Sequence, residues 1–274
     1  VALFGNRLLL SANYYNSRTT DMLYLYNVSV PPFTYNTLLA NIGSMRNWGT
    51  EIAIGITPLK TKDMELNINA NVTFQRNKLL SLSGMYNGEM ISAPEYKSLA
   101  SLDGAGFHGG YNHIVYQMVG QPLGVFYLPH STGLVSDGNG GYTYGIADLN
   151  GGGVNLEDGE DRYVAGQAVP KTILGSNISF RYKHFDLSVQ INGAFGHKIY
   201  NGTSLTYMNM NIFPDYNVMK SAPKQNIKDQ TATDYWLEKG NYVNFDYVTL
   251  GWNVPIEKVQ KLNCLLYTSP SPRD

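Results

Sequence analysis

The sequence has 274 residues, enough for one large domain or two ordinary ones, but only 15% of them are charged, against ~25% in a typical soluble domain. Lys and Arg (20 residues) and Asp and Glu (21 residues) give a formal net charge of −1, which argues against a nucleic-acid binder that depends on phosphate neutralisation. Hydrophobic residues make up 43%, yet no apolar stretch approaches the ~20 residues of a membrane-spanning helix, so a helical membrane protein is excluded too.

The two ends of the chain lead to one expectation each. The sequence starts at Val1, and the residues after it lack the order of a signal peptide. We therefore expect an internal piece of a longer protein. The single cysteine, Cys264, excludes a disulfide scaffold and a four-cysteine zinc site within this chain.

Alternation of apolar and polar side chains predicts β-strands in the first third of the chain. Residues 8–15 and 51–56 alternate, and residues 65–75 do so most strictly. A helix would scatter the same side chains around its circumference. In the strictest segment, Leu66, Ile68, Ala70, Val72 and Phe74 lie opposite Glu65, Asn67, Asn69, Asn71, Thr73 and Gln75.

The same pattern returns in the last hundred residues. Residues 176–182 and 185–192 alternate on either side of Lys183 and His184, which predicts a tight hairpin. Near residues 243–252 the apolar positions change parity around Asp246, which predicts a bulge or a change from loop to strand there.

The connections between these strands have two lengths. Residues 59–63 and 183–184 form tight turns, whereas residues 24–45, 79–112, 130–170 and 201–241 are long and rich in Gly, Asn, Tyr, Pro and Ser. Short periplasmic turns and long extracellular loops are typical of transmembrane β-barrels. We therefore predict an all-β fold: a partial, open, antiparallel transmembrane β-barrel.

A soluble β-sandwich is the alternative architecture. The alternating run at 64–78 is longer than a usual ~5–6 residue strand, and its polar face is nearly uncharged, as suits a hydrated lumen better than bulk solvent. On the barrel interpretation, four aromatic residues belong to girdles at the membrane interfaces; otherwise they are ordinary core residues. They are Tyr14, Tyr182, Phe185 and Trp252.

The polar faces supply the candidate substrate-binding residues. Neutral amides and hydroxyls donate and accept hydrogen bonds without requiring charge, which suits glycans or peptides. The residues expected to face the lumen are Glu51, Asn67, Asn69, Asn71, Gln75, Asn177, Gln190 and Asn192.

Five segments in collinear order carry a resemblance to a known family. Residues 41–51 (NIGSMRNWGTE) match N-x-G-x-x-x-N-x-G-x-E, and residues 119–127 match G-x-P-x-G-x-F/Y. Residues 14–15 and 19–23 resemble the strand that precedes residues 41–51 in that family. The stretch from 147 to 196 follows in the expected order, and the last segment combines 235–242 (YWLEKGNY) with 250–252 (LGW). Together they resemble the SusC/RagA type of TonB-dependent outer-membrane receptor of Bacteroidetes. Asn244 and Trp252 depart modestly, from the family's usual Arg and Tyr.

The resemblance covers residues 1–263 and implies the C-terminal part of a receptor barrel, incomplete at both ends, in the cell outer membrane. It implies import of oligosaccharides, or of peptides in some members, with no catalytic residue. The implied partners are a SusD-like surface lipoprotein, outer-membrane lipid and the TonB system, which would act through an N-terminal part of the receptor that this chain lacks. No required cofactor is implied.

The last eleven residues follow a different pattern. Residues 264–274 (CLLYTSPSPRD) form a Pro/Ser-rich tail that resembles a translated sequencing adapter. We expect an artefact of sequence assembly, with a natural disordered tail as the alternative.

A Gly- and Asp-rich segment between residues 148 and 162 resembles a calcium loop. Asp148, Asn150, Gly153 and Val154 fit positions 1, 3, 6 and 7 of an EF-hand-like loop. Positions 5 and 12 are glycines, so Asp158 or Asp161 could serve only in a rearranged loop. Calcium binding and a turn that orders an extracellular loop both stay open.

Other motifs give no convincing enzyme. Residues 104–109 satisfy G-x-G-x-x-G, but no helix is predicted after them to hold a dinucleotide. His108 and His113 lack metal-ligand spacing. Glu51 and Glu65 could be proposed as a glycosidase pair, although hydrated lumen carboxylates are the simpler interpretation. The competing function is a secreted β-sandwich glycan-binding or adhesin module with a calcium loop.

Overall fold

The computed structural model describes residues 1–94, 96–102, 111–157 and 160–255. The first strands are β1 (Ala2–Leu3), β2 (Leu8–Asn27), β3 (Thr37–Lys60), β4 (Met64–Ser81), β5 (Ser83–Tyr86), β6 (Glu89–Ser92), β7 (Tyr96–Ser101), β8 (His113–Met118) and β9 (Val125–Leu128). They are followed by β10 (Ser131–Ser136), β11 (Tyr142–Ile146), β12 (Tyr163–Gln167), β13 (Thr172–Tyr182), β14 (Phe185–Phe195), β15 (Lys198–Tyr200), β16 (Leu237–Lys239) and β17 (Tyr242–Trp252).

The helices are short and lie between β15 and β16. They are α1 (Gly202–Tyr207), α2 (Ala222–Gln225) and the 3₁₀ turns Met210–Ile212 and Asp234–Trp236. Among the described residues, none of the helices has the length and apolarity needed to cross a membrane.

Seven strands form one antiparallel sheet in the order β1-β2-β3-β4-β13-β14-β17. β2, β3 and β4 have 20, 24 and 18 residues, well beyond the strands of a soluble sandwich. The sheet curls into an open half-barrel, as the sequence predicts. β1 and β17 are its two edges, so within the described residues the barrel is not closed.

The predicted hairpins and bulge are present. β3 and β4 are joined by residues 61–63, and β13 and β14 by Lys183 and His184, with Lys183 in the left-handed region (φ 51°). The register of β14 and β17 shifts between Gln190, paired with Tyr247, and Ile191, paired with Phe245. Asp246 is the extra residue, and the bulge places Phe245 on the same face as Val248.

The interpretation of residues 24–45 as a long loop is wrong. The β2–β3 ladder continues to Asn27 and Thr37, so the loop comprises residues 28–36 only. Tyr26 and Ala40 are buried there with Ile91, and this packing supports the ladder beyond the regular sheet.

The other long connections carry their own structure. β5–β12 lie between β4 and β13 and are here called the first excursion. β15, the helices and β16 lie between β14 and β17 and are here called the second excursion. Both excursions leave the same end of the sheet, and their side chains pack into one cluster: Ile114, Phe126, Leu128 and Tyr144 from the first, and Leu205, Ile227 and Ala232 from the second. The main apolar core is therefore in the excursions.

Candidate functional site

The register divides the side chains of the seven-stranded sheet between two faces. All eight predicted lumen residues lie on one of them, here called the polar face, because Asn69 pairs with Asn177 and Asn177 with Gln190. Glu51 pairs with Thr73, and Asn71 and Asn192 both pair with Gly175. The remaining residues, Asn67 and Gln75, stand at even spacing from Asn69 on β4.

A hydrogen-bonded row crosses the polar face from β13 to β17. Asn177 Nδ2 donates to Gln190 Oε1 at 3.3 Å, and Gln190 Nε2 donates to Asn192 Oδ1 at 3.3 Å. Asn192 Nδ2 then donates to the carboxylate of Asp246. Asn177 also lies 3.4 Å from the hydroxyl of Tyr247. Three predicted residues therefore form one neutral network that ends on a carboxylate.

A second row lies toward the short-turn end of the sheet. Thr57 Oγ1 donates to Asn67 Oδ1 at 2.7 Å, and Asn67 Nδ2 donates to Glu65 Oε1 at 3.1 Å. Glu65 also pairs with Arg181 at 3.2 Å. These contacts hold Asn67 in place and occupy most of its hydrogen-bonding groups.

Beside the first row, the sheet forms an open groove with a volume of about 940 Å³. Its polar lining consists of Asn69, Asn71, Asn177, Gln190 and Asn192, and apolar residues of β1 and β2 complete it, among them Ala2, Leu9 and Leu10. The structure records no side-chain hydrogen bond between Asn69 or Asn71 and another described residue, and both are exposed. Their amides are available to a polar ligand.

Glu51 and Gln75 are farther from this groove. Gln75 Nε2 donates to the carbonyl oxygen of Pro170 at 3.0 Å, and Glu51 is exposed beside Thr73. Thr73 and Glu65 are eight residues apart on β4, so Glu51 and Glu65 are separated by roughly 26 Å. Glycosidase carboxyl groups lie only ~5–9.5 Å apart, so the hypothesis of a glycosidase pair is wrong.

The opposite face of the sheet, here called the outward face, is apolar. On β3 it presents Ile52, Ile54 and Ile56, and on β4 it presents Leu66, Ile68, Ala70 and Val72. An aromatic row borders this band at each end. Tyr182, Phe185 and Trp252 are register neighbours at the short-turn end, and Phe185 stacks on Trp252 with centroids 6.1 Å apart. At the other end, Tyr14 and Phe74 both pair with Thr50.

The proposed calcium loop is held by its own backbone. Asp148 accepts hydrogen bonds from the N–H groups of Gly151 and Gly153 at 2.5 and 2.9 Å, and Asn150 Oδ1 accepts from Gly152. Val154 is exposed. The described residues contain no group of three or more His, Cys, Asp or Glu side chains arranged to hold a metal.

Asp161 has a different environment in the same loop. Its side chain is fully buried, and its carboxylate accepts from the N–H groups of Asn155, Leu149 and Asn150 at 2.8, 2.6 and 3.3 Å. These bonds, with Asn155 first, hold the pKa of the Asp161 carboxyl below its ordinary value. These hydrogen bonds connect Asp161 to three backbone positions of the loop, and calcium binding stays a prediction.

Several predicted features lie outside the described residues. They are Asp158 of the calcium loop, His108 and the segment 104–109, and the proposed adapter tail 264–274. Conversely, Thr57 and Tyr247 contact predicted polar-face residues but were missed from the sequence. The alternation at residues 51–56 could have been extended to include Thr57, whereas placing Tyr247 needs the exact position of the bulge.

Comparison with known proteins identifies relatives of this chain. No protein-family model matches the sequence. TonB-dependent receptor P3 of Formosa agariphila is 28% identical over 277 residues, covering 93% of this chain and 26% of that protein. TonB-dependent receptor SusC of Bacteroides thetaiotaomicron is 22% identical and covers 87% of this chain and 23% of that protein. The homologues of this chain are TonB-dependent receptors, among them SusC.

Solved structures agree on the fold of the receptor segment. The RagAB peptide importer in its open-open state superposes with a TM-score of 0.65 at 16% identity, covering 94% of this chain and 27% of that one. The RagAB peptide transporter gives a TM-score of 0.62 at 17% identity, with coverage of 91% and 27%. The segment spans about a quarter of the length of the curated relatives it matches.

Two of the family-like segments have clear structural roles in this receptor segment. At Gly49, a Cβ would lie 2.4 Å from the carbonyl oxygen of Phe74 and 2.6 Å from the hydroxyl of Tyr15. Trp236 donates from Nε1 to the hydroxyl of Tyr144 at 2.7 Å, at the edge of the excursion core. The segment 41–51 therefore allows β3 and β4 to approach closely at Gly49, and the segment 235–242 connects the two excursions through Trp236.

Proposed function

We propose that this chain forms part of the barrel wall of a TonB-dependent outer-membrane importer of oligosaccharides or peptides. The observation that carries the proposal is the division of one sheet into an apolar outward face and a polar face with a groove. A soluble binding module would turn the outward face to water, and a barrel turns it to lipid.

The size of the apolar band supports a membrane location. The aromatic rows are ten residues apart on β4, from Met64, which pairs with Tyr182, to Phe74. At ~3.3 Å per residue and a tilt of ~40°, this length covers roughly 25 Å along the membrane normal, the height of the apolar band of outer-membrane barrels. On β3 and β4, the outward face carries no charged side chain between these rows.

The groove chemistry supports a neutral polar substrate. Asn69 and Asn71 offer amides without described partners, and the row from Asn177 to Asn192 is uncharged until it reaches Asp246. Such groups recognise hydroxyls of sugars or backbone amides of peptides. We propose that a SusD-like lipoprotein delivers this substrate and that TonB acts through a part of the receptor beyond this chain. No residue is assigned a catalytic role.

Uptake measurements in cells that express the complete receptor test this function. Fluorescent neutral oligosaccharides and short peptides are supplied separately, with and without a functional TonB. We expect TonB-dependent uptake of one class and a several-fold decrease in the double variant Asn71→Ala, Asn177→Ala.

The matched control is Asn36→Ala with Asn217→Ala, since both side chains are exposed, Asn36 in the loop between β2 and β3 and Asn217 in the second excursion. This variant should import normally. TonB-independent uptake, or a receptor absent from the outer-membrane fraction, would refute the proposed function.

A further inference from the structure

The outward face becomes cationic immediately beyond the aromatic row of Tyr14 and Phe74. Arg46 pairs with Arg18 on one side and with Lys78 on the other, so the three form one register row across β2, β3 and β4. Arg76 lies on the same face and pairs with Trp48. We call Arg18, Arg46, Arg76 and Lys78 the cationic patch.

The positive charges of the cationic patch are not neutralised by acidic side chains in the described part of the chain. All four side chains are exposed, and none forms an ion pair with a residue in the described part of the chain. Like charges directly opposite each other on neighbouring strands are destabilising. Three in one row therefore indicate that an anion occupies this surface in the native environment.

Two of the arginines are already positioned by contacts on the sheet. Arg46 donates from Nε to Asn16 Oδ1 at 2.8 Å, and its guanidinium lies 5.1 Å from the centre of the Trp48 ring. Arg76 donates to the carbonyl oxygens of Gln75 and Lys171 at 2.7 and 2.9 Å. The other edge of each guanidinium can meet a phosphate, which arginine binds in a bidentate geometry.

The depth of the patch matches that of lipid headgroups. Arg76 and Lys78 follow Phe74 by two and four residues, or about 5–10 Å along the membrane normal for a strand tilted by ~40°. The headgroup layer on each side of the hydrocarbon is roughly 5–8 Å thick. This end of the sheet carries the long excursions and is therefore the extracellular end.

The opposite end of the sheet lacks such a uniform charge. Its turn combines Lys62 with Asp63, and Arg181 is paired with Glu65. The charged register row at that end, formed by Lys60, Glu65, Arg181 and Asp186, alternates in sign, whereas the row of Arg18, Arg46 and Lys78 carries one sign only.

We propose that the cationic patch binds phosphate monoesters on the headgroups of lipids in the outer leaflet. This inference rests on the proposed membrane location. It concerns the outer surface of the barrel wall and is independent of the substrate in the groove.

Lipid binding by the complete receptor in a neutral detergent tests the proposal. Native mass spectrometry measures the binding of dioctanoyl phosphatidic acid, with dioctanoyl phosphatidylcholine as the lipid without a phosphate monoester. The test variant is Arg18→Gln, Arg46→Gln, Lys78→Gln. Arg76 is retained because it also bonds the backbone. Removing three interfacial charges should weaken phosphatidic acid binding by about 100-fold.

The matched control removes three exposed lysines from the excursions: Lys220→Gln, Lys224→Gln, Lys239→Gln. Its lipid affinity should stay within about twofold of the wild type. Equal losses in both variants, or equal binding of the two lipids by the wild type, would overturn the proposal. Inorganic phosphate that binds as tightly as the lipid would also overturn it and indicate a free-anion site.

Membrane fractionation of the same variants separates this proposal from the proposed function. If the wild-type receptor is absent from the outer membrane, the proposed function fails and the lipid site fails with it. If the receptor is present there but the test variant binds phosphatidic acid normally, only the lipid site is refuted. Loss of a co-purifying lipoprotein with unchanged lipid binding would identify the patch as a protein interface instead.

Discussion

Asn71 lies over Gly175, its register partner, so closely that a Cβ at position 175 would be 2.4 Å from Asn71 Oδ1. The absence of a side chain at Gly175 leaves the space that the asparagine amide occupies beside the groove. Gly55 has the same relationship with Asn69, at 3.0 Å. The two asparagines without described partners thus depend on glycines of the neighbouring strands.

Alanine substitutions at Gly175 and Gly49 should differ in their effect on stability, because the new methyl group meets a side chain at one site and the backbone at the other. In Gly175→Ala, the new methyl group meets the movable end of Asn71, so we expect a change in the free energy of unfolding below ~1 kcal/mol but weaker substrate binding. In Gly49→Ala, it meets the backbone oxygen of Phe74, and we expect a loss of ~1–3 kcal/mol. Urea unfolding of the complete receptor checks both values. Equal losses of unfolding free energy in the two variants would contradict the distinction between a movable side chain at Gly175 and a fixed backbone at Gly49.

A lysine on the outward face should be costly near the middle of the apolar band. Ile54→Lys is expected to lower the free energy of unfolding by ~2–4 kcal/mol because its charge would enter lipid. Ala53→Lys is the matched control, since its side chain points to the polar face. Refolding titrations measure both. A larger loss for Ala53→Lys would mean that the assignment of the two faces is inverted.

Loss of the Tyr144 hydroxyl should lower stability where the two excursions meet, because this hydroxyl accepts the hydrogen bond of the Trp236 indole. Tyr144→Phe removes the acceptor of Trp236 Nε1 and leaves a donor unsatisfied in a largely buried site, at a cost of ~1–3 kcal/mol. Tyr142→Phe is the control because that ring is 43% exposed, and it should change stability by less than ~0.5 kcal/mol. Thermal unfolding measures both variants, and equal shifts would contradict the role of the hydrogen bond.

Protonation of Asp161 should loosen its loop at acidic pH. The folded-state pKa lies below the ordinary value of ~3.9, so the stabilisation is complete above that value and is lost as the pH falls through the folded-state pKa. Hydrogen exchange at the amides of Leu149, Asn150 and Asn155 should therefore accelerate beyond its intrinsic pH dependence in this range. Asp161→Asn should remove this dependence, and Glu157→Gln, at an exposed position in the same loop, should keep it.

The same amides test the prediction of calcium. Because backbone N–H groups already occupy the carboxylates of Asp148 and Asp161, we expect the loop to keep its amide protection in EDTA. Calorimetry with calcium on the intact receptor is the direct measurement. Lost protection in EDTA, together with heat of binding above buffer, would show that calcium is a structural ligand.

Alternation along the chain is enough to predict which residues share a face of the sheet, because the period of a β-strand is two. For this reason the shared face of the eight lumen candidates, the hairpin at Lys183 and the bulge near Asp246 were predictable, whereas the lumen that this face would line stays a prediction. Local alternation cannot pair strands that are distant in the chain. Only the tertiary structure brought Asn69 beside Asn177, separated Glu51 from Glu65 and aligned Arg18, Arg46 and Lys78 in one row.

The long connections are a second case in which the sequence pattern does not predict the tertiary structure. Their Gly, Asn and Tyr content predicts loops, yet Tyr144 and Trp236 meet across 92 positions of sequence and close a core between two excursions. Neither excursion has a strict period, since their short strands bury side chains in two clusters, one within the first excursion and one between the two excursions. Their order is therefore a product of tertiary packing, whereas the period of the long strands follows from the polar and apolar faces of one sheet.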